Sequence, residues 1–159
     1  MADLFAHYTH LVIFLHVLSA VIWVGGMVAV RGVVHPVLQR IESPEQRLGK
    51  TLEVTGRLFH WVMPFIVVLV LTAMVMVVAV EGHRGDFRFV FMLKEGIWSV
   101  MTLNFGYMYL LRRHAWHLFL AGDLSGAKYH VRLLPNILLP INIFLGLTAL
   151  WLGITLRGV

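Results

Sequence analysis

Four long apolar runs, over residues 11–30, 58–80, 89–111 and 134–156, alternate with shorter polar stretches. Each reaches the roughly 20 residues that a helix needs to cross the hydrocarbon layer of a bilayer. None shows the two-residue alternation of a half-buried strand, and lipid offers no partner to an unpaired backbone group. Each run is therefore predicted to be a helix. The expected fold is all-α, an integral membrane four-helix bundle forming one transmembrane domain over residues 1–159. Pro64, Pro135 and Pro140 fall within these runs, where a proline starts or bends a membrane helix.

The polar stretches have structure of their own. In "SPEQRLGKTLEVTGRLFHW", Ser43 suits an N-cap, Pro44 the first helical position and Gln46 the capping-box position. Leu48, Leu52 and Thr55 then recur at helical spacing. The first loop is thus expected to be partly helical, with the second helix starting well before its apolar run. The third connection, "RRHAWHLFLAGDLSGAKYH", reads as a helical extension broken at Gly122.

Charge sets the predicted direction of the bundle. The first and third connections hold Arg31, Arg40, Arg47, Lys50, Arg57, Arg112, Arg113, Lys128 and Arg132. The other side has Arg84, Arg88 and Arg157. The positive-inside rule then places both termini outside, in the periplasm for a bacterial inner membrane protein. The formal charge of +5 is accounted for by orientation and by attraction to anionic lipid, so no nucleic-acid partner is expected. The start "MADLFAHYTH" lacks a basic n-region, and no cleavable signal peptide is expected.

Composition agrees with membrane insertion. Hydrophobic residues make up 59% and charged residues 13% of the chain, against about 25% charged in a soluble domain. The absence of cysteine excludes disulfides, thiolate metal sites and thiol catalysis. Nine histidines and eight methionines remain, the ligand types that haem iron or copper would use. There is no Walker loop, dinucleotide fingerprint, HExxH or nucleophile elbow.

Helical rise assigns each histidine a depth. His16 falls inside the outer half of the first span, with His7 and His10 above it and His83 in the outer loop. His35, His60, His114, His117 and His130 fall near the inner surface. His16 and His60 are separated by about 18 Å along the membrane normal, which rules them out as the two axial ligands of one haem. Level with His16 are Met74 and Met76 on the second span, and Met92, Lys94, Glu95 and Trp98 on the third. His16, Ser19, Trp23 and Gly26 share one helix face. Glu95, Ser99, Thr102 and Gly106 form a second small or polar stripe, and Asn142, Gly146, Ala149 and Gly153 a third. All three are expected to face the bundle interior. An ionisable group at such depth is a functional candidate, although Lys94 also lies close enough to the outer surface to snorkel.

The segment "LHVLSAVIWVGGMVAVRGVVHP" resembles the first span of the membrane superfamily that contains HemJ and the CopD-type copper-resistance proteins. "GRLFHWVMP" is similar to the start of the second helix in that superfamily, and "FMLKEGIWSVMTLNFG" to its Lys-bearing third helix. "NILLPINIFLGLTALWLGITLRG" fits the fourth more loosely. The HemJ resemblance implies a four-helix protein that binds haem b and oxidises protoporphyrinogen, with His16 and Lys94 at family functional positions. It departs from that pattern at Met92 and Phe105, where HemJ-like third helices often carry extra histidines. The CopD resemblance implies copper handling in which His7, His10, His16 and the methionines supply ligands.

Three readings stay open on these residues. The first is a haem b redox protein, exchanging electrons with a quinone or porphyrin partner. His16 and Trp23 would form its cofactor site with Met74, Met76, Met92 and Trp98, and Lys94 and Glu95 would be the catalytic candidates. The second is copper transport, with His60, His114, His117 and His130 as further ligands. The third is a non-catalytic assembly subunit. A homodimer through Gly25 and Gly26 is compatible with all three.

Overall fold

The computed structural model describes residues 2–80 and 88–155, and within them all but two short turns are helical. His83, Arg84, Leu156 and Arg157 lie outside the described residues. Helix α1 (Ala2–Ala29) runs through a π turn (Val30–Val34) into α2 (His35–Leu38). Next come α3 (Pro44–Val80), α4 (Arg88–Leu120) and α5 (Leu124–Leu133), and a second π turn (Leu134–Leu138) leads into α6 (Leu139–Thr155). Each π turn has a proline beside or within it, Pro36 in one case and Pro135 in the other. A proline lacks an N–H and crowds the carbonyl four residues back, and a locally widened turn relieves that crowding without ending the helix.

Helix boundaries follow local chemistry. The Ser43 hydroxyl accepts from the Gln46 N–H at 3.4 Å as α3 begins at Pro44. The α4–α5 break falls at Gly122, whose φ of +83° lies in the left-handed region that favours glycine. Asp123 then caps α5, accepting from the Gly126 N–H at 2.9 Å and from the Ser125 hydroxyl at 2.8 Å.

Among the described residues, three rods are long and apolar enough to cross a membrane: Tyr8–Leu38, Pro44–Val77 and Leu124–Ile154. The chain is a multi-pass helical membrane protein. Its outward side chains are apolar, including Phe14, Val21, Leu71, Leu103, Phe144 and Trp151, as a surface in contact with lipid requires. At 33 residues α4 has the length, but its polar Lys94, Glu95, Ser99, Thr102 and Asn104 keep it out of the apolar group.

Packing is cyclic: α1 lies on α3 and α6, and α4 lies on α3, α5 and α6. Along α3 the buried side chains are Leu48, Leu52, Thr55, Phe59, Val62, Ile66, Leu69 and Thr72, which step by three and four residues as in a coiled-coil seam. On α4 the inward row is Ile97, Met101, Phe105, Met108 and Ala115. The predicted interior stripe on α4 is corrected by this row. Ser99 and Gly106 are exposed, and Ser99 and Thr102 donate to the carbonyls of Glu95 and Trp98, both at 2.8 Å. Hydroxyls satisfied by their own helix need no polar interior.

The fourth-helix stripe does face inward. Asn142 is fully buried, and a Cβ on Gly146 would come 2.6 Å from Val24 Cγ2 and 3.2 Å from Met101 Cε. Gly26 is likewise an intramolecular contact, its Cβ position 3.1 Å from Leu58 Cδ1, whereas Gly25 has nothing within 4 Å.

Gly146→Ala should destabilise the bundle by about 1–3 kcal/mol through overpacking against stiff Val24. Gly106→Ala, with open space at its Cβ position, should be neutral or stabilising, and unfolding in detergent compares the two. The Gly126 N–H and the Ser125 hydroxyl hold the Asp123 carboxyl below its ordinary value. Its support of α5 is therefore full above the ordinary carboxylate range and lost as pH falls through the lowered value. Hydrogen exchange in the first turn of α5 should quicken in acid, and Asp123→Ala should remove that pH step.

Candidate functional site

His16, half-buried on α1, has Nδ1 3.0 Å from Thr72 Oγ1 on α3. Thr72 is itself buried, and its hydroxyl donates to the carbonyls of Val68 at 2.8 Å and Leu69 at 3.0 Å. With that one proton committed to its own helix, the oxygen accepts from the His16 Nδ1–H. In the neutral ring this bond selects the tautomer with its lone pair on Nε2. Metal-ligating histidines use the same arrangement, in which one ring nitrogen donates to a fixed acceptor and the other bears the ligating pair.

The face below His16 is closely packed, with Ser19, Trp23 and Met27 each 1% exposed. Trp23 stands edge-on to Phe105 at 5.9 Å, and Phe105 to Phe59 at 5.0 Å, so three helices meet there through aromatic rings. Trp23 Nε1 is buried and has no acceptor among the described residues. A buried donor without a partner costs about 1–3 kcal/mol.

The methionines predicted at this level separate by face. Met76 lies one turn beyond Thr72 on the same side of α3 and is half-buried. Met74 is 56% exposed and Met92 50% exposed, so both look outward. Trp98 is half-buried. Lys94 reaches α6, its Nζ 3.3 Å from the Cβ position of Gly153, while the adjacent Glu95 occupies another direction on α4.

The remaining histidines scatter. His7 is in the first turns of α1 and His10 is exposed. His35 Nε2 is 3.3 Å from Gln39 Nε2. The rings of His114 and His130 pack edge-on at 4.7 Å, whereas His117 is exposed. The His60 Nδ1–H donates to the Gly56 carbonyl at 2.8 Å. His60 precedes Thr72 by twelve residues on α3, which is about 18 Å of helical rise and keeps it apart from His16. Among the described residues no three His, Asp or Glu side chains converge as a metal-binding group.

Two arrangements were not foreseen from the sequence. Asn104 Nδ2 donates to Asn142 Oδ1 at 2.8 Å and to the Leu138 carbonyl at 3.0 Å, and Asn142 Nδ2 donates to the Met101 carbonyl at 3.3 Å. This amide pair joins α4 to α6 inside the core. Asn142 stood in a recognised stripe, but Asn104 carries no spacing signal that names it as the partner. The second arrangement is a cationic groove between α3 and α4, whose parts lie far apart in the chain.

Searches of protein-family models, curated proteins and solved structures each found no match to this chain.

The tautomer is directly testable. Nitrogen-15 NMR of labelled histidine in detergent should find His16 carrying its proton on Nδ1, and Thr72→Val should redistribute that proton between the two nitrogens. An unchanged distribution would mean that another group sets the ring.

Proposed function

We propose that this chain is a membrane haem b protein with a redox role, in which His16 would help to hold the iron. The observation that carries this reading is the His16–Thr72 bond, which orients an imidazole at membrane depth as an axial ligand is oriented. Met76 is the methionine that would join His16 in holding the group, because it alone of Met74, Met76 and Met92 combines partial burial with the face of Thr72. The unpartnered Trp23 N–H adds support, since a bound group or ordered water would give it an acceptor. Haem b, when bound, supplies one-electron transfer, tuned by its axial ligands and its burial. Thr72 then orients the His16 ring, and the packed face from Ser19 to Met27 excludes water beneath it. The electron partner belongs to the class of quinones or porphyrinogens.

In this reading α4 is the fourth crossing. It packs alongside α3 and α6, and a bilayer that holds those two rods encloses it as well. Its Asn104 is satisfied internally by Asn142, as lipid requires. The basic loops face the cytoplasm and both termini the periplasm of a bacterial inner membrane.

Protein purified in mild detergent should show a Soret band that shifts on reduction, with stoichiometric iron. His16→Ala should abolish it. Thr72→Val should weaken haem retention by about 10–100-fold, the usual cost of losing a ligand's supporting bond. Met76→Leu should alter the reduced spectrum, whereas Met74→Leu should leave it unchanged. A featureless spectrum with bound copper would replace this reading with copper handling. Absence of both metals would leave an assembly role.

A further inference from the structure

At the basic end of the bundle, α3 and α4 form a groove of about 550 Å³ lined by Gly56, Arg57, His60, Trp61, Arg112 and Trp116, with Glu53 beside them. Its centre is Arg112. The Arg112 Nε–H donates to the Leu52 carbonyl at 3.0 Å, and the guanidinium lies 5.1 Å over the Trp116 ring. It also lies across Gly56, where any side chain would collide with it. The group is thus drawn inward onto a helix backbone instead of extending into water.

A guanidinium has five N–H donors and stays charged. The Leu52 carbonyl takes one of them, and no carboxylate stands within ion-pair distance of Arg112 among the described residues. The nearby acid, Glu53, is already engaged by Lys50 at 3.0 Å and Arg57 at 2.7 Å. Two guanidiniums therefore line the groove against one carboxylate. His60 adds a polar atom, because its Nδ1–H is committed to Gly56 and Nε2 remains the second ring position. A half-buried cation without a counter-charge is costly, and an oxyanion supplied from outside would offset that cost through paired N–H···O bonds.

The surroundings indicate where the oxyanion comes from. Trp61 is 66% exposed beside the groove, an indole at the level where membrane proteins place their aromatic belts. From His60 and Trp61 the same face of α3 continues through Pro64, Val67 and Leu71, and Val67 and Leu71 are 53% and 56% exposed. A cationic pocket thus opens onto an apolar track running away from the basic end. We propose that this groove binds the phosphate headgroup of an anionic lipid, with the guanidinium of Arg112 on the phosphate and the acyl chains along α3. The proposal rests on the basic end lying at a membrane surface and is independent of haem.

The test is native mass spectrometry of the full chain in mild detergent, titrated with dioleoyl phosphatidylglycerol or dioleoyl phosphatidylcholine. One phosphatidylglycerol should be retained preferentially, and Arg112→Gln should weaken it by about tenfold or more, as expected for the loss of charge-assisted hydrogen bonds. Should Arg112→Gln misfold, Arg57→Gln combined with Trp61→Ala alters only exposed positions and should also reduce retention. Equal retention of both lipids, or retention unaffected by these variants, overturns the proposal. Inorganic phosphate that displaces the lipid at low millimolar concentration, with the same dependence on Arg112, would keep the phosphate site and reassign its source to a soluble phosphate. Lipid is read by mass and haem by absorbance, so failure of either reading is recognised separately.

Discussion

Inside hydrocarbon a polar group has only the chain itself to turn to, and this constraint organises the bundle. Thr51, Thr55, Thr102 and Thr148 all donate to carbonyls of their own helices, which lets hydroxyls sit in or beside the core at little cost. Two longer-range solutions connect α4 to its neighbours. The Asn104–Asn142 pair links α4 to α6, and Arg112 links α4 to α3 through the Leu52 carbonyl. Each ties a helix rich in polar residues to a more apolar neighbour. The least apolar of the long helices, α4, is therefore held by the bonds its polar residues make.

His16 follows the same logic with a different outcome. Its Nδ1 partner is a threonine whose own proton is already committed, so the bond runs in one direction and selects one tautomer. A threonine without its backbone acceptors could turn its hydroxyl either way. The ring's chemistry is thus set by hydrogen bonds within α3, a helix to which it does not belong. Trp23, on the same face of α1, is the exception: its N–H is buried in an aromatic core and meets no acceptor among the described residues. Departures of this kind from otherwise consistent polar pairing are where function is to be sought.

The two levels of the molecule differ in character. Below His16, at Val24, the protein is close-packed, and Gly146 brings α1, α4 and α6 into contact. At the basic end Gly56 serves the opposite purpose, making room for a guanidinium and leaving an open groove. Glycine at a helix contact means something different at each level, and the neighbour decides which.

Much of the fold could be read from the order of residues. Apolar runs located the helices, Ser43–Pro44 marked the start of α3, and Gly122 marked the break before α5, because these signals act within a turn or two of chain. Depth was legible to within a turn: rise per residue placed His16 level with Met74 and Met76, next to its actual neighbour Thr72, and apart from His60. What sequence could not decide was direction around each helix. Ser99 and Gly106 turned outward, and Asn104 turned to Asn142, because rotation is set by packing against neighbours distant in the chain. For the same reason only the tertiary structure separated Met76 from Met74. It alone brought Leu52, Gly56 and Arg112 together, since nothing local to any of the three requires the other two.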